Sequence, residues 1–464
     1  MKVTRLKATN VHGYLPIDVE LFSDLTFLIG LNGSGKTSAL RLLMALLTPN
    51  IAELASITFS EAEVTVADDG QNIVVKASRS PEGIKLQTTA VDGVLEVDTS
   101  ELELFLEVKR REELRSPIQE RWLSSPVYQS IRKMSTPMFL GLDRRFFAPG
   151  VISEDMDDAR RREYMVRRYW PEDPAGRGTA APASLIEVNY LVVTRVQEIR
   201  ASQEQLDEKL RAQFFTKAFE YKPSDVLGKG ARLPSRVELD RYREQLTKIE
   251  EAAEGVKIPV PAIRDALTHF FERMSKVVDS LEKSAKEKET KKDLKRPTKK
   301  ARPEPFPDRD YVEWIINKPQ ADKILEHLRL LDEYIEDRNS LRNPIHRFLS
   351  LVNGFLSQTK KLAEVASNGQ LTVLLDGSIE PRPITALSSG ERQLLVMLAH
   401  LSLNPSLKGS GVFIVDEPEL SLHIDWQEKF VDAIREANPN VQLILATHSP
   451  AIILDRVDSC RSMS

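Results

Sequence analysis

The sequence predicts an α/β fold split by a large, mostly helical insertion. Three observations carry that expectation. Short strand patterns with turn signals fill the first 150 residues, long charged helical patterns follow from about Ser153, and apolar strands alternating with helices return after residue 369. The length, 464 residues, favours two or three domains. Hydrophobic residues at 41% and charged residues at 29% supply a core and a solvated surface, which excludes wholesale disorder, collagen-like repeats and a small disulfide scaffold. With 65 Lys+Arg against 69 Asp+Glu, the net charge of −4 argues against a uniformly basic nucleic-acid coat and leaves room for a local basic patch. The lone cysteine, Cys460, excludes a disulfide framework or a Cys-based zinc site from this chain and fits a reducing compartment. The opening MKVTRLKATN lacks the apolar core of a signal peptide, and no stretch approaches the roughly 18 apolar residues of a membrane span, so a soluble, cytoplasmic protein with no membrane partner is expected.

In chain order, Val3–Ala8 alternates polar and apolar residues and can pair with Ile17–Leu21, and Leu25–Ile29 is a short apolar strand. The glycine-rich Gly30–Gly35 precedes a helix over Thr37–Leu47, stopped by Pro49. Ala62–Ala67, Asn72–Ala77 and Gly83–Thr88, separated by Asp-Asp-Gly and Pro-Glu-Gly turns, read as a meander rather than a βαβ unit. A helical stretch around Val108–Met134 leads to a strand at Met138–Leu142. Glu187–Lys217, Val237–Glu254 and Ala262–Lys288 read as long helices with solvated faces. Lys283–Pro307 combines ten Lys or Arg with four Pro, which suits a solvated linker, with contact to a phosphate backbone as the sharper alternative. Helices are expected again at Tyr311–Arg338 and Ile345–Ala366, then strands at Leu371–Leu375, Val412–Val415 and Gln442–Ala446. The expected division is 1–150, a helical insertion over 151–368, and 369–464.

Gly30-Leu31-Asn32-Gly33-Ser34-Gly35-Lys36-Thr37 satisfies G-x-x-x-x-G-K-[ST] at every defined position. Glycines let such a loop curl its N–H groups onto a phosphate, and the helix that follows adds its positive dipole end. Lys36 is placed to bridge the β- and γ-phosphates of ATP and the Thr37 hydroxyl to ligate Mg²⁺, so Asn32, Gly33, Ser34, Gly35, Lys36, Thr37 and Ser38 are the candidate nucleotide-binding residues. Gly411–Pro418 is an apolar strand ending in two acids, of which Asp416 can hold Mg²⁺ and Glu417 can act as general base on the attacking water. In Leu387–Leu394, Ser388, Ser389, Gly390 and Glu391 open a helix with hydroxyls and exposed N–H groups suited to an anion. An ordinary helix cap is the plainer alternative. His448 follows an apolar strand directly, where a lone histidine is usually structural.

Order and spacing join these motifs. The phosphate loop is followed after a long gap by Ser-Ser-Gly-Glu, then by Asp416-Glu417 about 25 residues on and His448 about 30 beyond. That order resembles the ATP-binding-cassette (ABC) ATPases, with Leu387–Glu391 as signature motif and His448 as histidine switch. Asp416-Glu417-Pro418-Glu419-Leu420-Ser421-Leu422-His423 and the opening Leu6–Tyr14 resemble the RecF, SMC and OLD-nuclease branch. His12 stands where that branch usually has Arg, and Ile424 where it has Pro. The resemblance covers about 1–150 and 370–455 and implies an ABC-type P-loop ATPase domain split by the insertion. It also implies that Ser388, Ser389 and Gly390 cap the nucleotide of another protomer in a head-to-tail dimer or higher oligomer.

In length the insertion is far shorter than an SMC arm and better resembles the compact stand-alone ATPases of prokaryotic anti-phage systems, the Septu ATPase PtuA before the PARIS ATPase AriA. An HNH nuclease partner (PtuB-like) is therefore favoured over a TOPRIM one. Only 16 residues follow His448, and the seven histidines form no H-N-H or H-E-x-x-H grouping, so DNA cleavage is expected of a separate effector. A RecF-like repair or chromosome-maintenance ATPase that binds DNA itself is the alternative, and a transporter subunit fits least.

Overall fold

The computed structural model describes residues 1–68, 70–110, 117–134, 137–141, 146–147, 183–219, 269–270, 272–280, 283, 309–407, 411–420 and 422–463. The expected helix Val237–Glu254, most of Ala262–Lys288, and the basic segment beyond Lys283 lie outside the described residues. Two compact units are present, residues 1–197 with 344–464, and residues 198–343. Their boundaries fall inside two long helices, Ala183–Phe219 and Arg309–Leu356. The first helix already buries Leu185, Val188 and Val192 before residue 197, and the second buries Phe348 and Val352 after residue 344.

The larger unit is built on two six-stranded sheets. The antiparallel sheet comprises β1 (Lys2–Val11), β2 (Leu15–Glu20), β4 (Glu61–Asp68), β5 (Gln71–Ser80), β6 (Gly83–Thr88) and β7 (Leu95–Asp98), in the order β2-β1-β4-β5-β6-β7. Its meander is the one the turn signals predict. The second sheet comprises β3 (Leu25–Ile29), β8 (Met138–Leu140), β9 (Phe146–Phe147), β13 (Gly411–Asp416), β14 (Val441–Ala446) and β15 (Cys460–Ser462), in the order β15-β3-β14-β13-β8-β9. All its pairings are parallel except that of β9. Every residue of β13 and β14 is buried, which is why both read as unbroken apolar runs.

The helix Lys36–Leu47 fills the space between the sheets. Its Leu40, Leu43 and Leu46 share one core with Val64 and Val75 of the antiparallel sheet and Ile414 and Ile444 of the parallel one. A single polar side chain in that region does the work of a staple. Gln442, fully buried at the start of β14, accepts from the Val3 N–H at 2.7 Å and donates to the carbonyls of Val3 and Phe22, each at 2.7 Å.

One expected helix is corrected. Arg309–Leu356 runs on through Pro319 and Pro344 as one helix and stops at Leu356, and Lys361–Val365 is strand β10 rather than helix. A 3₁₀ turn over Ser357–Thr359 and the left-handed Lys360 (φ 54°) redirect the chain. β10 then pairs with β11 (Leu371–Leu375), and the Asn353 side chain grips both the N–H and the carbonyl of Ala363. These tertiary contacts override the helical composition of Lys-Leu-Ala-Glu-Val.

In the smaller unit Leu210, Leu331 and Tyr334 form a core. The Tyr334 hydroxyl donates to Asp207 at 2.6 Å, and burial together with that carboxylate pushes the phenol up to about 12. Among the described residues no helix is long and apolar enough to cross a membrane.

Gln442→Leu takes the glutamine partner from the buried N–H and carbonyl of Val3 and from the part-buried carbonyl of Phe22, so we expect a loss of about 3 kcal/mol in denaturant-monitored stability. A loss below about 1 kcal/mol would show that the amide is dispensable.

Candidate functional site

The parallel sheet places three loops side by side. β14 lies between β3 and β13, so the phosphate loop after β3, the turn after β14 and the acids after β13 all emerge at neighbouring C-terminal strand ends. In open α/β sheets this is the edge where ligands bind.

The phosphate loop follows β3. Gly35, at φ 89°, caps the helix that begins at Lys36, a conformation that disfavours any side chain. At Gly30 an added Cβ would meet the Met463 carbonyl oxygen at 2.6 Å, so β15 at the sheet edge packs directly behind the loop. Asn32 and Gly33 are exposed at the crest, and Ser34 has a buried hydroxyl with no partner. Lys36 is folded back, its Nζ donating to the carbonyls of Gly30 at 3.0 Å and Leu31 at 3.2 Å. Burial lowers its pKa, against the opposing pull of Glu417, Asp416 and Glu419. Ser38 lies 2.8 Å from His12 Nε2, and His12 itself is held in the left-handed region (φ 54°), its N–H donating to Thr58. The histidine that stands in place of an arginine is thus in direct contact with the phosphate-loop helix.

The acids come next. The Thr37 hydroxyl donates to Asp416 Oδ1 at 3.3 Å, and Asp416 Oδ2 is buried without a hydrogen-bond partner. Burial first, and then the nearby Glu417, push the Asp416 carboxyl up to about 6, with the Thr37 bond and Lys36 opposing. The Thr37 hydroxyl and the Asp416 carboxylate, with its unsatisfied Oδ2, are hard oxygen donors, which fit Mg²⁺. Glu417 is a non-glycine residue at φ 45°, and its N–H donates to the Ala446 carbonyl at 2.8 Å. Left-handed backbone at a non-glycine position costs on the order of 1 kcal/mol and concentrates at functional sites.

His448 is exposed, and its N–H donates to Glu419 Oε1 at 2.7 Å. The signature segment lies on a separate helix, Ser389–Leu403, with Ser388 as N-cap. Ser388 and Ser389 are exposed and Gly390 half-buried. Glu391 behaves differently. Its side chain is 2% exposed, closes a capping box on the Ser388 N–H at 2.6 Å, and accepts from Thr359 at 2.7 Å and from Lys361 at 2.7 and 3.0 Å. Burial alone would raise its pKa, but the bonds from Lys361, Thr359 and Ser388 hold it below the usual carboxylate range. The Glu391 carboxylate is therefore turned into its own chain, where it anchors the loop that presents Ser388 and Ser389. Among the described residues the hydrogen-bond partners of Ser388 and Glu391 belong to that anchor and to their own helix, and none lies in the phosphate loop. Lys361 and Thr359 carry no motif, and only the folded contacts identify them.

The raised Asp416 pKa makes a stability prediction. A carboxyl that titrates at about 6 when folded and near 3.8 when free destabilises the fold above pH 6, and this effect vanishes below pH 4. Without nucleotide or metal, Asp416→Asn should raise stability at pH 8 by about 2 kcal/mol and have little effect at pH 4, read by thermal denaturation. Equal effects at both pH values would contradict the assignment of the buried charge.

Three curated proteins are similar over parts of the chain. The "Retron Vc95 probable ATPase" of Vibrio cholerae serotype O1 biovar El Tor is 37% identical over 92 residues, 18% of this chain and 18% of that protein. The "Retron Ec83 probable ATPase" of Escherichia coli is 27% identical over 150 residues, 29% of this chain and 27% of that protein. The "DNA double-strand break repair Rad50 ATPase" of Saccharolobus solfataricus is 31% identical over 120 residues, 25% of this chain and 14% of that protein. The chain thus spans less than a third of the length of each of these relatives. The family model described as "AAA domain, putative AbiEii toxin, Type IV TA system" matches residues 202–455, more than half of the chain, including the signature segment, Asp416-Glu417 and His448 but not the phosphate loop. The chain belongs to that AAA family.

Proposed function

We propose that the protein binds and hydrolyses ATP with Mg²⁺, and that its nucleotide state controls a separate effector in an anti-phage defence system of the cytoplasm. The observation that carries the chemistry is the contact of Thr37 with Asp416, whose second oxygen is buried and unpartnered beside Lys36. In this reading Lys36 exchanges the Gly30 and Leu31 carbonyls for the β- and γ-phosphates, while the loop N–H groups hold the β-phosphate. Bound Mg²⁺, held by Thr37 and Asp416, supplies charge neutralisation on the phosphates. Glu417 is the residue that would orient the attacking water and take its proton, and His448 the one that would contact the γ-phosphate. Ser388, Ser389 and Gly390, exposed or half-buried at a helix N-terminus, complete the site of a second copy in a head-to-tail pair.

The defence role is supported by the partial likeness to two retron ATPases and by the matched family's description as an AbiEii-type toxin domain. Within that class the Septu ATPase PtuA is the preferred counterpart. The effector in this reading is an HNH nuclease on a separate chain, and the helical insertion is its contact surface.

Two variants test the proposal. Lys36→Ala should lower ATP affinity at least about tenfold, and Glu417→Gln should bind ATP while hydrolysing it about 100-fold more slowly. The ATP-loaded Glu417→Gln protein should co-purify with the nuclease in a nucleotide-dependent way. Undiminished ATP binding by Lys36→Ala would refute the site. A nucleotide-locked protein isolated from its native host without a nuclease would refute the effector.

A further inference from the structure

We propose that Glu419 is a positioning residue that locks the turn carrying His448 to the turn carrying Glu417. The proposal rests on the reading of the site as an ATPase. β13 and β14 are parallel neighbours, aligned up to Asp416 opposite Ala446, and each chain then leaves the sheet in its own turn. Two loops of that kind can drift independently unless something ties them.

A closed circuit of side chains does so. Glu419 lies in the 3₁₀ turn Pro418–Leu420, immediately after the two acids. Its carboxylate receives the Thr447 hydroxyl at 2.9 Å from each oxygen and the His448 N–H at 2.7 Å from Oε1. Thr447 is fully buried, and its hydroxyl oxygen in turn accepts the Ser449 N–H at 3.0 Å. The Ser449 hydroxyl donates to Gln427 Oε1 at 2.6 Å. Gln427 closes the ring by donating through Nε2 to the carbonyls of Glu419 at 3.4 Å and Leu422 at 2.9 Å. The carboxylate thus holds the His448 N–H directly, and the Thr447 hydroxyl that it receives holds the Ser449 N–H on the other side of the histidine, while the histidine side chain stays exposed. The same carboxylate is two residues from Glu417, whose own N–H is bonded to the last residue of β14.

A plain turn-stabilising role would cost stability and leave the chemistry proportionate to the amount of folded protein. The positioning role makes a different demand, since Glu419 acts through His448 and has nothing to contribute once that side chain is gone. Glu419→Gln keeps the shape but faces the His448 N–H with one acceptor fewer, and Thr447→Val removes the hydroxyl at constant volume.

The experiment is steady-state ATP hydrolysis by the full chain, with kcat and KM measured separately for each variant alone and in a His448→Ala background. In the wild-type background Glu419→Gln and Thr447→Val should each lower kcat about tenfold while KM for Mg-ATP changes less than about threefold. Thr447→Ser should recover most of the rate that Thr447→Val loses. In the His448→Ala background Glu419→Gln should cause no further loss. An equal loss in both backgrounds, a loss confined to KM, or a kcat proportional to the fraction folded would overturn the proposal. His448→Ala with a wild-type rate would overturn it as well. A wild-type protein that neither binds nor hydrolyses ATP would instead remove the ATPase reading on which it rests.

Discussion

Strand β14 is the member on which the rest of the larger unit depends. It is buried along its whole length and pairs with β3 on one side and β13 on the other. Every catalytic candidate of the parallel sheet reaches its place by reference to that strand. Near its start lies Gln442, which joins β1 of the antiparallel sheet through two backbone bonds to Val3 and makes a third to Phe22, and its far end leads into Thr447 and His448. An apolar side chain at 442 would satisfy the hydrophobic pattern but take the Gln442 partner away from the buried Val3 N–H and carbonyl, and buried backbone polar groups need partners. The same strand thus sets both the spacing of the site and the attachment of the second sheet.

The site itself is assembled at a cost that the surrounding core absorbs. A buried lysine turned onto carbonyls, a buried aspartate with an unsatisfied oxygen and a left-handed glutamate lie within three adjacent loops. None of these features is favourable for folding, and each is suited to receiving a charged ligand. At the base of the long helix Arg309–Leu356, a single short turn reaches toward two parts of this assembly. Gln358 accepts the Trp426 indole N–H at 2.7 Å, on the helix that follows the acids, and Thr359 with Lys361 holds Glu391 at the head of the signature helix. A displacement of that turn would therefore be felt at both places.

What was legible in the residues follows from which forces acted locally. The phosphate loop, the helix after it and the strands β3, β13 and β14 were readable because fully buried parallel strands are continuous apolar runs and the loop needs glycine where φ is positive. β7 and β15, four and three residues long, carry too few residues for a period to show. β10 was misread as helix because Lys-Leu-Ala-Glu-Val has helical composition, and its pairing with β11 and grip by Asn353 are tertiary. The acids and the histidine were visible as strand-end residues, whereas Glu419, Thr447, Gln427 and Lys361 gain their roles only from partners distant in sequence. Glu391 was visible as part of the signature, but its inward orientation depends on Lys361 and Thr359, some 30 residues away.

The central claim is that a functional ATP site is completed by a second copy of the chain. The glycine-rich loop of one copy emerges at one sheet edge, while Ser388 and Ser389 stand exposed at the head of a helix anchored through Glu391 to Thr359 and Lys361 of the same chain. The most direct measurement mixes two inactive proteins, Lys36→Ala and Ser389→Arg, and follows ATP hydrolysis as subunits exchange. A heterodimer of the two contains one intact composite site, so the account predicts recovery of hydrolysis toward one quarter of the wild-type rate at equal mixing, about half of the dimers being mixed with one working site each. No recovery despite demonstrated exchange of subunits, or full activity in a strictly monomeric wild-type protein, would contradict it.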